Sequence, residues 1–591
     1  MLATLNRKIK IFFIISLCFN PVFFLLFNNS NFFNFNSIER THLKYTNALD
    51  EGTSWTFMFY LDGDNNLEEY MLKICNDLEK GFIDENNIDV YVLLDRSEEF
   101  STKDGNWSNT RLYKIKSDTN KKQIHSTLIE DFEEKEMDNP STLSDFIRYC
   151  LENSPADYYF LSLANHGTGI YGLCIDDSSN NDDGGILTID ELQQGIYQGI
   201  AGLEEKIDVI YLTACEMACF EVAYELKDFV DYLIALQTNR YGKVIDYSKI
   251  LTFLYQNPNS SSDQLALKII ENYERNWERD FRILNYHTAI SLFDLQFLQQ
   301  INETFNLFVF EMEKLIHGMD IIHLVECRQH TLDFDYKHID LIHFIENLLS
   351  NDFLLLEYPE LILKAQLFYE ALHNCLVTNY QNSFFCGNAN GFSIYFPYPI
   401  TYNENLWLKA YNDITYSFSN IDFLTDINWN NFVYNFTNFD FDRDSLPNWF
   451  EYYYQLGPLV PDYNFDGVPD YKEDFDNDLQ INYWEFCDGT NPLISDTDHD
   501  GINDREEGRI YRPNNPGADV DGYVRTLGFS ADSDKDGYTD KEEIYFFNTD
   551  PGNADSHPNK FLFSGRIVFI LFFIPFIIVV INVWPEKKED S

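Results

Sequence analysis

Between residues 55 and 215 the hydrophobic period switches back and forth, and this restricts the fold more than any other property of the chain. WTFMFYL (55–61), IDVYVLLD (88–95), YYFLSLA (158–164) and KIDVIYLTAC (206–215) are short, nearly continuous apolar runs. Such runs suit strands buried on both faces. Between them, Leu67, Met71, Ile74 and Leu78 recur at helical spacing. STLSDFIRYCLEN (141–153) opens with Ser141 as the expected cap, and LTIDELQQGIYQGI (187–200) is again helical. Strand alternating with helix predicts an α/β fold with a mostly parallel sheet under helices, in which ligands sit beyond the carboxyl ends of the strands.

Two chemically apt side chains fall at that edge. His166, followed by Gly167, stands where YYFLSLA gives out, and Cys215 stands where the next such strand gives out. A cysteine attacks through its thiolate, and an imidazole can take the proton and later deliver it to an amine leaving group. The Gly167 and Cys215 amides could together stabilise an oxyanion. On spacing alone the signal is weak, since one histidine and one cysteine in separate strands are more often packing residues than a catalytic pair.

Six segments in order, WTFMFYLDGDNNLE, STLSDFIRY, YYFLSLANHGTG, LTIDELQQGI, YLTACEMACFEVAYELKDFVDYLIALQ and NGFSIYFP, span roughly residues 53–420. In them the chain resembles the clostripain family of cysteine peptidases, of the clan that includes caspases, legumains and gingipains. The resemblance implies a caspase-like three-layer sandwich and a catalytic dyad at His166 and Cys215. It also implies an acidic residue two positions before the nucleophile, where substrate Arg or Lys would bind. Here that position is Thr213, and Asp176 and Asp177 on the loop after the histidine are the candidates for a compensating charge. Cys219 reads as a core residue.

Beyond residue 437 five windows fit a 12-residue loop with oxygen donors at positions 1, 3, 5, 9 and 12. The first offers Asp440, Asp442, Asp444, Asn448 and Glu451, and the second Asp462, Asn464, Asp466, Asp470 and Glu473. The third offers Asp474, Asp476, Asp478, Asn482 and Glu485. The fourth offers Asp496, Asp498, Asp500, Asp504 and Glu507, and the fifth Asp532, Asp534, Asp536, Asp540 and Glu543. An all-oxygen set of this kind suits Ca2+ better than magnesium, which wants a tight octahedron, or softer metals, which want His or Cys. Gly467, Gly501 and Gly537 supply the sharp turn at position 6, whereas Ser445 and Leu479 do not, so the first and third loops are the weaker matches. The spacing resembles thrombospondin type 3 repeats.

The charge balance agrees with cations as ligands. The chain has 96 acidic against 42 basic residues, a net charge of −54, which argues against nucleic acid as a partner. Ten cysteines at irregular spacing indicate neither a disulfide scaffold nor a zinc ribbon. IFFIISLCFNPVFFLLF follows Arg7, Lys8 and Lys10, and IVFILFFIPFIIVVINVW precedes Lys587 and Lys588, so both ends point to a membrane with the body outside the cell.

The expected organisation is therefore a signal peptide or N-terminal anchor (1–30), a linker (31–52), a peptidase unit (53–425), a calcium-binding stalk (438–557), a transmembrane helix (565–584) and a cytoplasmic tail (585–591). The expected function is a membrane-tethered extracellular cysteine endopeptidase acting on peptides or proteins. It is single-pass, or two-pass if the first run stays attached. The alternatives are a non-catalytic calcium-binding adhesion or scaffold protein, and a transpeptidase that hands the acyl group to an amine.

Overall fold

The computed structural model describes residues 52–556, except 398–420, shorter stretches (84–86, 178–184, 239–244, 281–286, 335–337, 383–385, 519–522, 534–536) and scattered single or paired positions. Both terminal apolar runs, the linker, Asp534 and Asp536 lie outside the described residues. Among the described residues no helix is long and apolar enough to cross a membrane.

The four apolar runs become strands β1 (Trp55–Leu61), β2 (Ile88–Leu94), β5 (Tyr158–Ala164) and β8 (Ile207–Thr213). They join β3 (Arg111–Lys114), β4 (Thr127–Asp131), β9 (Val230–Leu236), β10 (Ala289–Asp294) and β12 (Leu376–Gln381) in one nine-stranded sheet. Its order is β12-β10-β9-β8-β5-β1-β2-β3-β4. The five central strands, β9 to β2, run parallel, and an antiparallel pair flanks them on each side. Two small pairings lie apart from the sheet, β6 (Leu173–Ile175) with β7 (Ile186–Leu187) and β11 (His338–Asp340) with β13 (Ser393–Tyr395).

Alternate residues of each central strand feed different cores, as the two-residue period demands. Trp55, Phe57, Phe59 and Leu61 pack with α1 (Glu68–Gly81), α5 (Tyr247–Gln256) and α6 (Ser262–Asp280) on one face. Met58 and Tyr60 turn to the other face, toward α2 (Pro140–Asn153), α3 (Ile189–Ile200) and α4 (Phe220–Leu226). This is the helix–sheet–helix layering that the alternation predicts. One cap differs from expectation. Asn139, not Ser141, caps α2, its side chain accepting the Ser141 N–H at 2.9 Å. Pro140 takes the first helical position, where a missing N–H costs nothing.

The apolar core does not stop at residue 425. Trp429 donates its indole N–H to Tyr395 O (2.8 Å), and Leu446, Trp449 and Phe450 from the first acidic window and Phe486, just past the third, are buried in the same core as Phe396 and Phe344. The helix Asn448–Tyr454 packs on the helix Ile321–Gln329. The early repeats are thus built onto the α/β body.

Candidate active site

The chain passes from β1 outward to β2 and then returns to the other side of β1 as β5, and a reversal of this kind is where ligands sit in open α/β sheets, beyond the carboxyl ends of the strands. In the parallel register of β5 and β8, Ala164 is opposite Thr213. His166 and Cys215 are each two residues past that last pair, on neighbouring strands that end level.

The backbone confirms how closely the two ends approach. A Cβ built on Gly167 would meet Cys215 O at 2.4 Å, the Ala214 Cβ at 2.9 Å and Cys215 N at 3.0 Å, so residue 167 must be glycine for the histidine loop to rest on the cysteine turn. Gly167 also bridges to Leu173, but the hydrogen bonds come from its neighbours, Cys174 N–H to His166 O (3.2 Å) and Thr168 N–H to Gly172 O (3.0 Å). That pairing does not use the Gly167 N–H. Gly167→Ala is accordingly expected to push the loop off Cys215 and lower kcat/KM by about 10²-fold, with far-UV circular dichroism unchanged.

The turn that carries Cys215 is unusual. Glu216 sits in the left-handed region (φ 59°), and α4 begins only at Phe220. Glu216 is therefore a turn residue rather than part of the helix N-terminus. The turn is pinned by Glu216 N–H to Thr238 O (3.3 Å) and Ala218 N–H to Leu236 O (2.8 Å). Such strain at a strand-to-helix turn presents one side chain at the edge of the sheet. Of the nine described cysteines eight are buried, and Cys215 is the one with partial exposure.

A second Cys–His pair provides a contrast. Cys219 hydrogen-bonds with His338, but both are buried and burial raises the thiol pKa even with the imidazole beside it. A thiol with no access to solvent and no tendency to ionise is a packing residue, as expected for Cys219.

Sequence reading missed Asn66. Its Oδ1 lies 2.7 Å from His166 Nε2, and an amide oxygen there holds the proton on Nε2 and places the lone pair on Nδ1. The available signal was the DGDNN turn at the end of β1, next to the strand carrying His166. Removing one such hydrogen bond is expected to cost about 10-fold in kcat in Asn66→Ala, with a displaced acidic limb in the pH–rate profile.

The three candidate substrate-contacting residues part company. Thr213 is fully buried, its hydroxyl 3.1 Å from that of Ser162. Asp176 is buried and accepts the Met137 N–H (2.8 Å). Only Asp177 is exposed.

The acidic windows share one backbone feature. Position 6 is left-handed in all five, at Ser445, Gly467, Leu479, Gly501 and Gly537. Ser445 and Leu479 adopt it despite a cost of roughly 1–2 kcal/mol for a residue with a Cβ. The turn is held from within, since the position-6 N–H donates to the first Asp in four windows: Ser445 to Asp440, Gly467 to Asp462, Leu479 to Asp474 and Gly537 to Asp532 (2.8–3.2 Å). Glycine is therefore not what decides whether a window can form the loop.

The remaining oxygens turn inward. Asp442 Oδ2, Asp444 Oδ2, Asp476 Oδ2, Asp498 Oδ2, both carboxylate oxygens of Glu451 and Glu485, and Glu507 Oε2 are buried with no hydrogen-bond partner. Each group also borrows from the next window. Asp444 and Glu451 converge with Asp470, and Asp476 and Glu485 converge with Asp504, every set having ligand atoms within 4.8 Å of one another. Position 9 thus serves the preceding loop, which window-by-window reading did not anticipate. Burial and mutual repulsion push the Glu451 and Glu507 carboxyls up to about 10 and Glu485 up to about 9. Orphaned hard oxygens at this density fit a bound calcium ion.

Comparison with known proteins matches residues 59–453 to the model of the clostripain family. The clostripain of Hathewaya histolytica is 30% identical over 220 residues, covering 33% of this chain and 41% of that protein, so the chain matches about two-fifths of the length of this curated relative. Among solved structures, an inactive zymogen C11 protease from Parabacteroides distasonis is 16% identical, covering 64% of this chain and 99% of that one with a TM-score of 0.46. A secreted C11 cysteine protease from Bacteroides thetaiotaomicron, in complex with an irreversible peptide inhibitor, is 16% identical with the same coverage and a TM-score of 0.47. With most of its length matched by one family model, the chain belongs to the clostripain family of cysteine peptidases.

Proposed function

We propose that the protein is a cysteine endopeptidase in which Cys215 is the nucleophile and His166 the general base and acid. The observation that carries this reading is the level ending of β5 and β8, with Gly167 seated on the Cys215 backbone. His166, oriented by Asn66, takes the thiol proton, and the thiolate attacks the scissile carbonyl. The Cys215 and Gly167 N–H groups receive the oxyanion. Collapse of the tetrahedral adduct expels the amine, protonated by His166, and leaves a thioester at Cys215. Water, activated by the same imidazole, hydrolyses the thioester and restores the thiol.

Around this unit, the acidic windows bind calcium and form a stiffened segment that leads to a membrane-spanning helix at 565–584. The peptidase body lies outside the cell. The support for calcium is the set of inward-facing orphan oxygens, and the support for tethering is the pair of apolar runs with basic flanks. The test is the purified full chain in detergent against a peptide library, with and without calcium, beside alkylation of its thiols by iodoacetamide at pH 7. Cleavage of some peptides and preferential alkylation of Cys215 are expected. No cleavage of any peptide, with Cys215 no more reactive than the eight buried thiols, would sink the reading.

A further inference from the structure

The carbonyls that pin the Cys215 turn are themselves tied to a later part of the chain. Leu236 O and Thr238 O, which accept the Ala218 and Glu216 N–H groups, flank Gln237 just past the end of β9. Gln237 is fully buried. Its Nε2 donates to Asp340 Oδ2 (2.9 Å), and its Oε1 accepts the Gly391 N–H (3.0 Å). Asp340, the last residue of β11, is buried as completely, and two further N–H groups converge on its carboxylate, that of Asn390 on Oδ2 (2.6 Å) and that of His343 on Oδ1 (2.7 Å).

The β11–β13 pair that carries Asp340 touches both halves of the site. Ser393 stands opposite Asp340 in its register. The Ser393 N–H (2.9 Å) and hydroxyl (3.2 Å) both donate to Ala218 O, within the cysteine turn. At the other end of β11 the His338 ring lies against the histidine loop: a Cβ built on Gly169, at φ 61°, would meet His338 Cε1 at 2.7 Å and Nε2 at 2.8 Å. The cysteine turn is thus held both from the end of β9 and from β13, and the strand paired with β13 meets the loop that follows His166.

We infer that the β11–β13 ribbon braces the histidine loop and the cysteine turn against each other, with Gln237 and Asp340 as positioning residues that hold Cys215 for attack. The inference rests on the cysteine-peptidase reading of Cys215 and His166. Glu216 keeps its left-handed backbone only where the surroundings over-determine it, and α4 starts too far along, at Phe220, to do so. Hydrogen bonds to a charged acceptor are the strong ones, and a buried polar network fixes a single arrangement when its members are satisfied. Loosening the network lets the Cys215 turn drift, and a drift of about 1 Å costs a reaction about 10²-fold. Gln237 and Asp340 are both buried away from solvent, so the loss falls on kcat and leaves KM in place.

The test is steady-state kinetics of the full chain in detergent on its best-cleaved peptide, at a pH above the Asp340 carboxyl, which burial raises to about 7. Gln237→Glu sets two carboxylates against each other, and Asp340→Asn removes the charged acceptor. Each should lower kcat about 10- to 100-fold with KM within about 3-fold of the parent, while circular dichroism shows the variant folded. The double variant Gln237→Glu/Asp340→Asn exchanges donor and acceptor across the same contact and should restore kcat to within about 5-fold of the parent. Ser393→Ala removes one hydroxyl and does not threaten folding; it should lower kcat about 3-fold, and it decides alone if the single variants do not fold. Unchanged kcat in Ser393→Ala or in the folded single variants, a raised KM with kcat intact, or no recovery in the double variant would overturn the brace. A parent chain that cleaves nothing would instead sink the peptidase reading, and this inference with it.

Discussion

Cys215→Ala is expected to lower kcat/KM for every cleavable peptide by roughly 10⁴- to 10⁶-fold, the scale seen when a covalent nucleophile is removed. Among the described residues no other thiol can substitute, because the eight remaining cysteines there are buried. Cys219→Ala is the internal control. It removes a thiol four residues away that sits beside an imidazole of its own, yet activity should survive, with a stability loss of about 1 kcal/mol for a lost buried sulfur. His166→Ala should fall as far as Cys215→Ala, and the double variant no further, since the two groups act as a unit. Turnover retained in Cys215→Ala, or lost in Cys219→Ala while the protein remains folded, would contradict the assignment.

Stripping calcium is expected to have the largest effect on stability. Occupancy at a hundredfold over Kd contributes about 2.7 kcal/mol per site, so several occupied sites in series would carry a large share of the stability of the acidic segment. Chelation should open this segment to proteolysis and lower the midpoint of thermal unfolding. An unchanged midpoint and digestion pattern would refute calcium binding by the repeats. The ion-free protein should also respond to pH in a definite direction. Glu451, Glu485 and Glu507 have carboxyl pKa values raised in the folded state, so the folded chain retains protons that the unfolded chain has released above about pH 4.5. Stability without calcium therefore falls as pH rises through the range from about 4.5 to about 10, and acidification restores part of it. Calcium should flatten that slope, because bound ions keep the carboxylates charged.

The central sheet was readable in the sequence because its strands are buried on both faces and so appear as unbroken apolar runs. The positions of His166 and Cys215 were readable because they fall where those runs end, and the register of β5 and β8 puts both at one edge, while their pairing rests on family resemblance. Asn66 was not readable, since an asparagine in a turn has the same local signature whether or not a histidine lies above it. The burial of Thr213 against Ser162 was not readable, since it depends on how two strands pack. In the acidic windows the glycine criterion ranked Ser445 and Leu479 too low. Hydrogen bonds donated by the backbone N–H groups to the loop carboxylates set the backbone there, and these do not appear as a residue preference. The hydrophobic anchors Trp449 and Phe486 were hidden within segments read for their acids.

Those anchors have a mechanical consequence. With Trp449, Phe450 and Phe486 seated in the same apolar core as Phe396, the base of the acidic segment has no hinge. A pull transmitted from the C-terminal side reaches the α/β body as shear across packed rings, so the edge that carries Cys215 keeps a fixed bearing relative to the first acidic loops instead of swivelling freely above them.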